Sequence, residues 1–245
     1  MTGASVAVIT GAASGIGAAC ARLLRDAGWR TAGLDLNDSD TDLPVRLDVT
    51  DAGRVRAAVD AAADRFGRLD LVVTAAGYYE EGIDVAEISR AQWDRMLAVI
   101  LGGTVNAFQA ALPHLLRRGT GGLIAISSEL ALAGSATDLH YVAAKGAVLG
   151  LVKSLALEVA GTGIRVNAVA PGSIGGTEGV RRFADAVRGG DDRPTNPLGL
   201  QGHGSDIAYT VLFLCSPVAR FISGQVIAVD GAGTVDQLKL GLGRA

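Results

Sequence analysis

The chain has few cysteines, few lysines and no long apolar run. Cys20 and Cys215 are its only cysteines, and they form no metal-ligand or redox spacing. That argues against a disulfide scaffold and a cysteine metal site, and it fits a reduced, cytoplasmic protein. No apolar run reaches ~18 residues, so no membrane span is expected. The N-terminus enters a strand pattern by Ser5 and lacks the basic start of a signal peptide. A basic stripe is missing too. Twenty-two Lys and Arg stand against 25 Asp and Glu, for a net charge of −3, which argues against nucleic acid as the main partner. The 245 residues contain no internal repeat and no low-complexity tract.

What is present describes a folded core. Hydrophobic residues make up 49% and charged residues 19% of the chain, outside the range of disordered sequences. Glycine, at 34 of 245, is about twice its usual share, which implies many tight turns and close backbone approaches. Short apolar runs that end in Gly, Asp or Ser alternate with helical patterns. The strands expected are Val6–Thr10, Arg30–Leu34, Val45–Leu47, Leu69–Thr74, Gly122–Ser127, Ile164–Ala170 and Gln225–Val229. The helices expected are Ala18–Ala27, Thr50–Phe66, Ser89–Arg118 with a bend at Pro113, Tyr141–Ala160 and Ser205–Cys215. Such alternation gives an α/β fold, a parallel sheet with helices on both faces. Residues 1–245 are expected to form one domain. Its least regular stretch, residues 173–204, is expected to be a functional loop over the substrate.

Two motifs carry chemistry. Tyr141-Val142-Ala143-Ala144-Lys145 places a phenol and an ammonium four residues apart, on one helix face. A cation held there favours the phenolate, and a phenol so tuned can exchange a proton with a substrate hydroxyl or carbonyl. The second motif is Thr10-Gly11-Ala12-Ala13-Ser14-Gly15-Ile16-Gly17, a glycine loop between a strand and a helix. There, backbone N–H groups and the positive helix end suit a dinucleotide pyrophosphate. Asp35 closes the second strand, where an acid bonds both hydroxyls of an adenosine ribose and repels a 2′-phosphate. Position 36 is Leu36, and neither Arg nor Lys sits in the loop, so NAD is expected over NADP. Asp48 ends the third strand on the same sheet edge, where a role beside the adenine and a turn cap both fit.

These segments, in this order, resemble a short-chain dehydrogenase/reductase of the roughly 250-residue kind. The resemblance also covers Leu47-Asp48-Val49, Thr74-Ala75-Ala76-Gly77, Ile126-Ser127-Ser128, Ile164 to Gly172, and Ile222 to Gly231. It implies a three-layer, Rossmann-type doubly wound sheet of about seven parallel strands, with the site at their C-terminal edge. The family's catalytic Ser lies thirteen residues before the Tyr, which selects Ser128. Ser128 would hydrogen-bond the substrate oxygen, Tyr141 would be the acid/base, and Lys145 would lower the Tyr141 pKa and hold the nicotinamide ribose. The cofactor would be held by Gly11, Ser14, Gly15, Ile16, Gly17, Asp35, Leu36, Asp48, Val49, Ala75, Ala76 and Gly77. Tyr141, Lys145, Pro171, Gly172 and the backbone near Ile174 would complete that set.

Three positions depart from the family pattern. Ile100 stands where an Asn of the fourth helix helps to kink that helix, and its main-chain carbonyl holds a relay water. Thr74 replaces an Asn, and Gly176 replaces a Thr, with Thr177 one residue later. A weakened or rebuilt relay with activity retained is expected. Candidate substrate-wall residues are Tyr78, Tyr79, Glu129, Leu130, Thr137, His140 and Phe183, a mix that suits a small secondary alcohol or a cyclic polyol. Helices Ser89–Arg118 and Tyr141–Ala160 carry many apolar residues, the second nearly all round, so one side could face a partner subunit. The resemblance implies dimers and tetramers that pair these helices, and a homotetramer, or a dimer, is expected. The leading reading is an NAD-dependent oxidoreductase that interconverts a secondary alcohol and a ketone. Its rivals are an NADPH-dependent reductase of ketones or 3-oxoacyl thioesters, and a dinucleotide-binding protein with weak or no catalysis.

Overall fold

The computed structural model describes residues 3–80, 83–177 and 196–237. Seven strands run in parallel: β1 Val6–Thr10, β2 Arg30–Asp35, β3 Leu43–Arg46, β4 Leu71–Thr74, β5 Gly121–Ile126, β6 Ile164–Pro171 and β7 Val226–Val229. Their spatial order is β3-β2-β1-β4-β5-β6-β7. The chain winds outward one way from β1, then crosses back to β4 and winds the other way. A crevice opens at that reversal, beyond the C-terminal ends of β1 and β4.

The sheet is buried on both faces. Every residue of β1 is buried. Val6 and Val8 join one apolar cluster, and Ala7 and Ile9 join the other. That split follows from the period of two along a strand. The first cluster packs α2 (Ala52–Phe66), α4 (Gly103–Arg118) and α6 (Leu139–Glu158) onto the sheet. The second packs α1 (Gly15–Asp26) and α7 (Gly204–Cys215). Each fully buried Leu or Ile contributes about 2 kcal/mol of transfer free energy.

Local chemistry sets the ends. The Asp51 carboxylate caps α2 by accepting from the Arg54 N–H at 3.0 Å, so the helix starts two residues later than Thr50. Ser89 and Gln92 form a reciprocal capping box at the start of α3 (Arg90–Leu97). Three further segments are α5 (Leu130–Ala133), α8 (Gly233–Gln237) and a π-helical turn, Ala98–Gly102. None of the three was expected from the sequence.

The π turn joins α3 to α4. The departure from α geometry therefore lies at Ala98–Gly102, and Pro113 sits inside α4. The stretch Arg90–Arg118 is the one helix among the described residues long and apolar enough to cross a bilayer. Its Ile100, Ala107, Phe108, Ala111 and Leu115 are buried in the first core cluster instead. Within the 173–204 loop, residues 178–195, and with them Phe183, lie outside the described set.

Candidate active site

The end of β5 meets the first turns of α6 at the C-terminal edge of the sheet. Ser127 and Ser128 leave β5 together, but their side chains part. Ser127 Oγ donates to the Lys145 carbonyl at 3.0 Å and ties α6 to the sheet. Ser128 forms a side-chain hydrogen bond with Tyr141 and accepts from the Leu130 N–H at 3.2 Å. Of the two serines, Ser128 is the one hydrogen-bonded to the phenol. Lys145 is 6% exposed, and its Nζ donates to the Ile126 carbonyl at 2.8 Å. It also lies 5.7 Å from the centroid of the Tyr141 ring.

Burial shapes the charges. It pushes the Lys145 ammonium down to about 8. It pushes the Tyr141 phenol above its ordinary value; the hydrogen bond with Ser128 opposes this, and the carboxylates of Asp138 and Glu129 reinforce it. Burial of the ring is the largest influence on the phenol, and Lys145 directs one of its three N–H donors at the Ile126 carbonyl. The ring of Tyr79 meets Tyr141 edge-on, with centroids 5.5 Å apart and planes at 82°.

The glycine loop folds as expected. A side chain at Gly17 would collide with the Gly11 carbonyl oxygen, so close packing of α1 against the loop requires glycine. Ser14 precedes α1 but makes no side-chain cap, and the first turn holds no acid. The N–H groups of Gly15, Ile16 and Gly17 are left with the positive helix end, which suits a diphosphate. Asp35 accepts from the Ala13 N–H at 3.0 Å and from the Asn37 N–H at 2.9 Å. Its carboxylate thus hangs at the rim of the loop, and Leu36 beside it is 64% exposed. These features fit an adenine dinucleotide.

Asp48 takes its turn-cap alternative. It accepts from the N–H and hydroxyl of Thr50 at 2.9 and 2.8 Å, which hold its carboxyl below the usual range. Val49 is buried under Gly103, and its carbonyl accepts from Asn106 Nδ2 at 2.9 Å. Ala75 and Ala76 lie across β1, with the Ala76 N–H donating to Thr10 Oγ1 at 3.1 Å. Gly77 faces Ile100 and the Lys145 ammonium. Beyond Pro171, the Gly172 N–H donates to the Val229 carbonyl at 3.0 Å. Ile174 is 3% exposed and bridges to Gly202.

The substrate-wall residues divide. Tyr79 and Glu129 stand by the phenol, since the Glu129 charge acts on it. Tyr78 packs into the core with the Arg95 guanidinium over its ring. Thr137 is committed to Asp138, donating to its carboxylate at 3.0 Å. His140 is fully buried and pairs with Glu80 at 3.0 Å, as a core histidine does. Glu80 is sixty residues away in sequence, and no local pattern announced it.

A family model described as "Enoyl-(Acyl carrier protein) reductase" matches residues 11–233. Cis-4-hydroxycyclohexanecarboxylate dehydrogenase of Sinomonas cyclohexanicum is 37% identical, over 94% of this chain and 96% of its own. Aldohexose dehydrogenase of Thermoplasma acidophilum superposes with a TM-score of 0.90 at 30% identity, covering 99% of this chain and 97% of that one. A 3-ketoacyl-(acyl-carrier-protein) reductase from Brucella melitensis, complexed with NADH, gives a TM-score of 0.87 at 29% identity, covering 94% and 98%. The chain belongs to the short-chain dehydrogenase/reductase family. It is an oxidoreductase of the Rossmann type.

Against that family's pattern, the three departures have local answers. Ile100 is buried, yet the π turn forms around it. Thr104 Oγ1 donates to the Ile100 carbonyl at 2.7 Å and lies 3.3 Å from Thr74 Oγ1. Two of the three departing positions are therefore linked through one threonine. Its place four residues after Ile100 is the spacing at which a Thr hydroxyl reaches a preceding carbonyl. At the third, Gly176 has φ +76°, a left-handed conformation that favours glycine. The turn it makes sets Thr177 beside Gly15, with its hydroxyl donating to the Ile174 carbonyl at 2.7 Å. Thr177 thus reaches the phosphate loop from one residue further on.

Proposed function

We propose that this short-chain dehydrogenase/reductase is NAD-dependent and interconverts a small secondary alcohol with its ketone. The observation that carries the reading is the hydrogen-bonded Ser128–Tyr141 pair, with the Lys145 ammonium beside the same ring. Tyr141 takes the hydroxyl proton during oxidation and returns it during reduction. Ser128 holds the substrate oxygen against that phenol. Lys145, on the same helix face, holds a ribose hydroxyl and steadies the phenolate. The dinucleotide, when bound, accepts or supplies the hydride. The uncapped start of α1 would hold its diphosphate, and Asp35 its adenosine ribose.

Asp35 and the exposed Leu36 support NAD, because the acid repels a 2′-phosphate and Arg46, its register partner on β3, is already paired with Asp38. The free thiols Cys20 and Cys215 agree with a reduced, cytoplasmic setting. Residues 1–245 act as one domain in this reading. The apolar outer sides of α4 and α6 join subunits into a homotetramer. NADH and NADPH titrations, followed by quenching of Trp29 and Trp93, test the cofactor. NADH is expected to bind at least tenfold tighter, about 1.4 kcal/mol. Tighter NADPH binding would move a 3-oxoacyl reductase ahead.

A further inference from the structure

Glu129 is the residue this structure leaves chemically unfinished. Its backbone is fixed: its N–H donates to the Pro171 carbonyl at 2.8 Å, and its carbonyl accepts from Leu132 and Ala133 at 2.9 and 3.0 Å. Its carboxyl is half-buried and accepts no hydrogen bond from any described residue. Asp230, close by, is the opposite case. Its carboxylate accepts from the Ala232 and Thr234 N–H groups at 3.0 and 2.9 Å, and from the Thr234 hydroxyl.

The Glu129 carboxyl lies against the bare Cα of Gly233. A methyl group built there would stand 2.5 Å from Oε2, so the room for this carboxyl exists because residue 233 has no side chain. Glu129 also follows Ser128 directly in the chain, and its charge acts on the Tyr141 phenol. A carboxyl held on a rigid turn beside the reacting hydroxyls, with its lone pairs unused, is placed to meet a donor on the substrate.

We propose that Glu129 is a specificity-determining residue that accepts a hydrogen bond from a second substrate hydroxyl, so that the substrate is a polyhydroxylated alcohol such as a cyclic polyol. This rests on the oxidoreductase reading and narrows its substrate class. Hydrogen bonds to a charged acceptor are roughly twice as strong as neutral ones, and only a substrate with that extra hydroxyl makes one here. Anionic substrates meet Glu129 and Asp230 together and are disfavoured by like charge. Burial and Asp230 push the Glu129 carboxyl up to about 7, so near neutral pH part of the population can also donate.

The test is oxidation of cyclohexanol and of its 1,2-, 1,3- and 1,4-diols with NAD, by wild type, Glu129→Leu and Glu129→Gln. NADH binding monitors folding. In wild type, at least one diol should exceed cyclohexanol about tenfold in kcat/KM. Glu129→Leu should lower that ratio at least tenfold, and Glu129→Gln, which keeps an acceptor oxygen, should lower it less. Wild type that oxidises cyclohexanol and every diol alike, or a ratio that survives in both variants, overturns the role of Glu129 and leaves the oxidoreductase reading standing. Wild type that binds NADH but oxidises no alcohol overturns both.

Discussion

The two edges of the sheet use charge in opposite ways. At the N-terminal edge, Asp70 meets four donors. Its carboxylate accepts from the Val6 N–H at 2.8 Å, from Arg68 Nε and a second Arg68 nitrogen at 2.8 and 2.7 Å, and from Arg118 Nε at 2.8 Å. The pairing ties β1, β4 and the end of α4 together. At the C-terminal edge, Lys145 is buried and Tyr141 half-buried with few partners, the Glu129 carboxyl has none among the described residues, and burial displaces all three from their ordinary pKa values. A charge that is fully paired stabilises its surroundings and is chemically inert. A charge that is buried and underused costs stability and is ready to react.

The comparison breaks most sharply in a pair of single variants. Tyr141→Phe is expected to lower kcat/KM by at least about 100-fold, within the usual span of a lost acid/base. Its urea midpoint should stay close to wild type. Asp70→Ala should do the reverse and lose about 3 kcal/mol, because it strands the Arg68 and Arg118 charges. Turnover per folded molecule should persist. Equal effects of the two variants on both readouts would show that the edges are not specialised.

A subtler contrast lies in Lys145. Its folded pKa, about 8, is below the ordinary 10.5. The unfolded chain therefore binds more protons between those values, and stability rises with pH from about 8 to about 10.5. Below pH 8 the whole desolvation cost is present. Lys145→Met should abolish that rise and stabilise the fold at pH 7 by about 2 kcal/mol, while turnover is lost. Urea titrations at pH 7 and pH 10 check the sign. A Lys145→Met protein that is less stable at pH 7 would mean that the bond to the Ile126 carbonyl outweighs the burial of the charge.

The same contrast decides what could be read from the sequence. Strands β1, β2, β5 and β6 were legible because they are apolar runs closed by Gly, Asp or Ser. The Tyr141–Lys145 spacing and the glycine loop were legible because each is local in the chain. The family match over residues 11–233 agrees with that reading. Pairings across the sheet were not legible. His140 with Glu80, and Glu129 with Gly233, depend on segments sixty or more residues apart. The π turn escaped because a helix period of 3.6 looks unbroken through one extra residue. The raised phenol escaped for a different reason. Spacing places Lys145 near Tyr141, but only the packed structure shows how far burial desolvates the phenol.

The smallest expected effect tests how the π turn holds without an asparagine at position 100. A π turn leaves carbonyls whose α-helical donor has shifted by one residue, and each needs another partner or pays the cost of a buried, unmade hydrogen bond. Thr104 supplies one to Ile100 and is itself 6% exposed, near Thr74 at 3%. Thr104→Val keeps the shape and removes that donor. It should cost about 1 kcal/mol. The turn lies under Gly77, which faces the Lys145 ammonium, so a loosened turn moves the floor beneath Lys145. A drop in kcat of about fivefold is expected from such a shift, about 1 kcal/mol in barrier, with KM and NADH affinity little changed. If kcat and stability both stay at wild-type values, the glycine pair Gly102-Gly103 and the packing of Ile100 suffice to hold the turn. The threonine would then be a passive neighbour of the turn.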